Sequence, residues 1–136
     1  MSKRRKAREI ALQTLYAEEI SPDGWEKALQ ETITRRGSSE EAVLYARRLV
    51  VLVTGRRDEL DTMIRAHLEN WTLERVSKID LIILRIGLAE LLHCPDIPTN
   101  VIINEAIEIA HRYSSSDAGG FVNGILDSLA REVRAV

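Results

Sequence analysis

The sequence is poor in the residues that staple, break or decorate a chain. It has one cysteine, Cys94, so no internal disulfide can form and no cysteine-rich zinc cluster can be assembled. The three histidines, His67, His93 and His111, are far apart and form no His-Glu-x-x-His pattern. The three prolines, Pro22, Pro95 and Pro98, all sit at apparent breaks between apolar-periodic segments. No Gly-x-x-x-x-Gly-Lys or Gly-x-Gly-x-x-Gly run is present, which removes the common phosphate and dinucleotide loops. The most apolar stretch, Ile79–Leu92, is too short to span a bilayer and contains Asp80, Arg85 and Glu90. No apolar segment follows the basic N-terminus, so no leader peptide is read and a cytoplasmic location is expected. These gaps argue against an enzyme and against a bound cofactor or metal.

What is present is helical pattern and an uneven charge distribution. A chain of 136 residues is the size of one domain. Net charge is −2, yet Lys3, Arg4, Arg5, Lys6 and Arg8 precede the first acid, Glu9. Of the 19 Lys and Arg, these five leave 14 for the remainder, against 21 Asp and Glu, a balance of −7. A basic end on an acidic body suggests a polyanionic partner. A short basic terminus also serves solubility, and one beginning this close to the chain end is expected to fray in part.

No stretch alternates with period two, so an all-α fold is expected. About seven helices are anticipated, in two packed halves over about 1–70 and 71–136 of a single domain. The first runs from the basic residues to near Ser21, with Ala7, Ile10, Ala11, Thr14 and Leu15 on its core stripe and Arg5, Leu12 and Tyr16 on a flanking face. The second covers about 24–36 and stops at Gly37. Ser38 with Glu41 reads as a capping box for the third, apolar at Val43, Leu44, Ala46, Val50, Val51 and Val53. Gly55 marks a break, and a fourth helix runs to about Asn70. The fifth, within 79–92, is apolar nearly all round and so central. Pro98 suits the first turn of the sixth, whose inner face carries Ile102, Ala106, Ile109 and Ala110. Ser116 or Asp117 can cap the last, which buries Val122, Ile125, Leu126, Leu129 and Val133.

Several polar residues need a reading of their own. Gly119-Gly120 with Gly124 suits flexible entry and close packing of the last helix better than a cofactor loop. Asp80 favours a helix N-terminus but could instead meet a partner. Arg85, inside an apolar helix, calls for a carboxylate such as Glu105. RNA is read by stacking unstacked bases on aromatic or Arg planes, so each of the six aromatic residues is worth placing. Trp25 and Trp71 read as packing residues near helix ends, and Tyr45 and Tyr113 carry no signal. Tyr16 lies beside the basic face, and Phe121, at the edge of the last helix's apolar stripe, could pack or stack.

These residues also fall into a familiar order. Arg4-Arg5-Lys6-Ala7-Arg8-Glu9-Ile10-Ala11-Leu12-Gln13-Thr14-Leu15-Tyr16 resembles the opening of the NusB family. Ile83-Leu84-Arg85-Ile86 with Glu90-Leu91, then Ile97-Pro98 with Val101, Asn104-Glu105-Ala106 and Glu108, resemble its middle. Phe121-Val122-Asn123-Gly124-Ile125-Leu126-Asp127 resembles its closing motif. Each piece is short; their order across nearly the whole chain is what is specific. Residues from about Glu18 to Asn70 carry little of it.

The resemblance implies a bundle of seven helices in two subdomains. It implies binding of boxA-type RNA together with NusE, a small-subunit ribosomal protein, within the RNA polymerase antitermination complex that reads through terminators in ribosomal RNA operons. By position, it assigns Lys3, Arg4, Arg5, Lys6 and Arg8 to phosphates, and Gln13, Tyr16, Asp117 and Phe121 to the base-reading surface. It places Asp80 where the family meets NusE, and gives Asn123 a structural role in fixing the last helix. Monomer and homodimer both stay open. The rivals are a helical protein-interaction module with an incidental basic tail, and a fragment of an RNA methyltransferase, for whose catalytic domain the chain has no room.

Overall fold

The computed structural model describes residues 2–69 and 72–134. Among these the chain forms seven α-helices and one short 3-10 turn, Leu73–Arg75. The helices are α1 (Lys3–Ile20), α2 (Trp25–Arg36), α3 (Glu40–Gly55), α4 (Arg57–Ala66), α5 (Lys78–His93), α6 (Thr99–Tyr113) and α7 (Ala118–Val133). Trp71 lies outside the described residues. The chain divides into two compact units, Met1–Gly55 and Arg56–Val136. The division falls at Gly55 rather than near residue 70, because α4 packs against α5 and α7.

In the first unit α1 packs against both α2 and α3. Its basic run is helical from Lys3 rather than frayed, because Ser2 caps it: the Ser2 hydroxyl accepts from the Arg5 N–H at 3.0 Å. The expected stripe is buried, and Leu12, expected on the flank, joins it. Glu9 is buried too, its charge met by Arg36 of α2 at 2.8 Å. Gly24 and Gly37 bracket α2 with φ of 99° and 63°, a region where a side chain would be strained. For α3 the cap is Ser39, not Ser38: its hydroxyl accepts from the Ala42 N–H at 3.2 Å. The buried face of α3 is Ala42, Tyr45, Ala46, Leu49, Val50 and Val53, whereas Leu44 and Val51 are exposed. An apolar residue one position off the stripe turns about 100° away from the core.

In the second unit α5 is the central helix, buried continuously from Ile82 to Leu91 and packed by α4, α6 and α7. Arg85 finds Asp61 of α4, not Glu105: two N–H groups meet the two carboxylate oxygens at 2.7 and 2.8 Å. Helix α7 approaches α5 closely at Gly87, where a Cβ would fall 2.9 Å from a Leu126 methyl. Gly119 does the same for α6, its missing Cβ leaving room for the His111 ring, while Gly120 and Gly124 face open space. Arg134 closes the end of α5 by donating to the carbonyls of Leu91, Cys94 and Ile97 at 2.9, 2.8 and 2.6 Å. Two of these lie among carbonyls that a helix end leaves without partners. Pro98 is the cap of α6, one residue before its first turn. Asp117 occupies the cap position of α7 but makes no side-chain capping bond. Asn123, expected to fix α7, is exposed on it.

Candidate nucleic-acid interface

One candidate surface is built on α1. Its first turn holds no acid and three cations, Lys3, Arg4 and Arg5. Positive charge at a helix N-terminus opposes the macrodipole, each such residue costing about 0.3–1 kcal/mol by the usual magnitude of the effect. The free N–H groups at that end add to the same positive field, which makes the end a seat for an anion. Lys3 and Arg4 are exposed, and Arg5 and Lys6 are half-buried. Arg8 is different: it is 3% exposed, and its guanidinium lies 6.0 Å from the centre of the Tyr45 ring.

Further along α1, Tyr16 is 39% exposed. It stands within about 20° of Arg5 around the helix and roughly 16 Å beyond it along the axis. Gln13 is half-buried, with the guanidinium of Arg35 at 3.5 Å from its carbonyl oxygen. Lys3 donates to Glu41 of α3 at 2.9 Å. That bond, the Lys3 charge and then the Arg4 charge hold the Glu41 carboxyl below the usual carboxylate range.

A separate candidate surface lies in the second unit. A groove of about 270 Å³ is lined by Arg75, Ser77, Asp80, Ser115, Asp117 and Phe121, among others. It forms where the start of α5 meets the loop into α7. The Asp80 N–H donates to Ser77 at 3.1 Å, and an Asp80 carboxylate oxygen accepts from the Ser114 hydroxyl at 2.6 Å. Asp117 is exposed and, since it caps nothing, leaves its carboxylate as an open acceptor pair. Phe121 is half-buried, one part of its ring on the wall of the groove.

The structure therefore brings Asp80, Asp117 and Phe121 together, although the sequence suggested separate roles for Asp80 and the other two. It keeps Lys3, Arg4, Arg5, Lys6, Gln13 and Tyr16 on the surface of the first unit and sends Arg8 inward. Sequence reasoning missed Arg75 in the groove and Tyr45 beneath the basic run. Arg75 sits in a short polar turn without periodicity. Tyr45 shares its face of α3 with apolar neighbours, so neither carried a signal. Arg4 lies 4.1 Å above the Tyr45 ring, a cation–π contact that helps fix an otherwise flexible side chain.

Known proteins place these features in context. A transcription antitermination protein NusB from Myxococcus xanthus is 42% identical over 134 residues, covering 96% of each chain. One from Desulfatibacillum aliphaticivorans is 40% identical, covering 95% of this chain and 90% of its own. Among solved structures, T. maritima NusB superposes with a TM-score of 0.88 at 38% identity, over 95% of this chain and 91% of that one. A crystal structure of antitermination factors NusB and NusE in complex with dsRNA gives 0.89 at 25% identity, covering 97% and 98% of the two chains. The NusB family match itself runs over residues 5–131, from the basic run through the closing helix, and the chain belongs to the NusB family.

Proposed function

We propose that this protein is an RNA-binding transcription antitermination factor. It binds boxA-type RNA as a single strand, acts with the ribosomal protein NusE, and promotes read-through by RNA polymerase, notably in ribosomal RNA operons. The observation that carries this reading is the first turn of α1. Three cations there oppose the helix's own dipole, an arrangement that makes sense when a polyanion occupies that end. Family membership supplies the kind of polyanion.

In this reading Lys3, Arg4, Arg5 and Lys6 hold phosphates. Arg8, being buried near the Tyr45 ring, adds its charge to the field rather than touching RNA. Gln13 and Tyr16 meet bases along α1. In the groove of the second unit, Phe121 stacks a base while the open Asp117 carboxylate accepts from base N–H groups, since an anionic side chain cannot hold phosphate. Asp80 meets the protein partner at the edge of that groove. The protein is a binding factor without catalysis or cofactor and works in the cytoplasm. Among the described residues no helix is long and apolar enough to cross a membrane.

The test is fluorescence anisotropy of labelled boxA RNA and a scrambled control, titrated with this protein with and without NusE. Tighter binding to boxA, strengthened by NusE, is the expected result. Equal or absent binding to both RNAs by folded protein with NusE present would overturn it in favour of a helical protein-interaction module.

A further inference from the structure

The end of α2 reaches the middle of α1, beside the residues proposed to meet bases. The last turn of α2 carries Arg35 and Arg36, and Gly37, with φ of 63°, stops the helix directly after them. The two arginines turn to different depths. Arg36 meets Glu9 at 2.8 Å, and the Glu9 side chain is 1% exposed, so this pair pins the end of α2 to α1. Arg35 is exposed, and its Nη2 lies 3.5 Å from Oε1 of Gln13, which stands one turn along α1 from Glu9. Gln13 in turn neighbours Tyr16, three residues on. The contact is long where it faces water, and a base laid over it would exclude water and strengthen it.

A primary amide is ambiguous by shape. Its oxygen accepts, its nitrogen donates, and a half turn exchanges the two. A guanidinium has donors and no acceptor. Facing Arg35, the favourable atom of Gln13 is therefore its oxygen, and the amide nitrogen is turned away from the end of α2. That nitrogen carries two hydrogens, so it can serve an incoming base as well as a group within the protein. We infer that Arg35 is a positioning residue that sets the base preference of Gln13. It holds the amide so that Gln13 offers a donor, and the base met there carries a carbonyl oxygen on its rim, as uracil and guanine do, rather than the amino group of cytosine or adenine. The inference rests on the RNA-binding reading above and adds to it a residue of α2 and a class of base.

The role is tested with labelled boxA RNA and a set of RNAs in which each base in turn is exchanged between carbonyl and amino forms, uracil with cytosine and guanine with adenine. These are titrated at several salt concentrations with the full chain as parent, Arg35→Met, Arg35→Lys and Gln13→Glu. Thermal melts by circular dichroism establish that each variant is folded. The parent is expected to favour the carbonyl base at one position by about threefold to tenfold, the weight of one hydrogen bond. Gln13→Glu keeps a partner for Arg35 but has no donor, and it abolishes or reverses that preference. Arg35→Met lets the amide turn either way and brings the preference to near parity, without changing the slope of log K against log salt. Arg35→Lys, also a donor only, restores the preference. If Arg35→Met keeps the parent's preference, the positioning role is overturned. If it does so while making the slope shallower by about 0.7, the value of one phosphate contact on a single strand, Arg35 holds phosphate instead. If Gln13→Glu alters no base preference while boxA is still favoured over a scrambled RNA, the inference falls and the RNA reading stands. If the parent binds neither RNA, both fall.

Discussion

At the scale of single residues, the charged side chains of the first unit are sorted by depth as much as by sign. Arg4 and Arg8 are one helical turn apart, but one is exposed over the Tyr45 ring and the other is 3% exposed. Glu41 shows the same economy in reverse, since its carboxylate is kept ionised by Lys3, hydrogen-bonded to it, with Arg4 nearby. Its folded pKa lies below the ordinary carboxylate value, so its contribution to stability is present above that ordinary value and fades as pH falls through the depressed one. Replacing Glu41 with Gln should therefore flatten the acid limb of the stability profile, read by melts at successive pH values. The same change removes the anion that holds Lys3, and RNA affinity should rise about twofold to threefold at low salt by the weight of one surface charge. Unchanged or weaker RNA binding would show that Lys3 is not a competing ligand of Glu41.

At the scale of elements, the second unit is held by polar contacts that reach between helices. The Arg85–Asp61 pair ties α5 to α4, with side chains 7% and 14% exposed. Removing one partner of such a pair leaves the other charge buried and uncompensated, typically a loss of about 3–5 kcal/mol, whereas replacing both with apolar residues of similar volume can be nearly neutral. Asp61→Ala should lower stability by roughly 3 kcal/mol, and Arg85→Met with Asp61→Leu by much less, measured by urea denaturation. Equal losses in the two would mean that packing, not charge pairing, joins α4 to α5. The sequence announced that Arg85 needed a carboxylate, because a cation at a buried helix position must be answered. It could not say which carboxylate, since Asp61 lies 24 residues away and is brought near by the docking of α4 alone. The capping of α3 has the same lesson on a smaller scale. Ser38 and Ser39 are adjacent hydroxyls, and the entry of the chain into the helix selected Ser39.

At the scale of the whole molecule, a net charge of −2 coexists with a strongly cationic helix start. Binding to RNA should accordingly depend steeply on salt, with specificity left to bases. Four surface cations on α1, Lys3 to Lys6, at about −0.7 per contact, give a slope of log K against log salt near −3. A slope near zero in an anisotropy titration would contradict the role of the basic run and point to a contact surface dominated by neutral groups.

The sequence by itself determined what depends on neighbours along the chain: the helical class, the core stripe of α1, the buried length of α5, the breaks at Gly37 and Gly55, and the cluster of charge at the N-terminus. Periodicity, capping and charge runs act over a turn or two, so they are written locally. Only the tertiary structure decided that Arg8 turns inward, that Tyr45 lies under Arg4, that Leu44 is left exposed, and that Asp80, Asp117 and Phe121 line one groove. Those outcomes depend on which helix faces which, and a shift of one position moves a side chain about 100° around the helix, enough to carry it from core to surface.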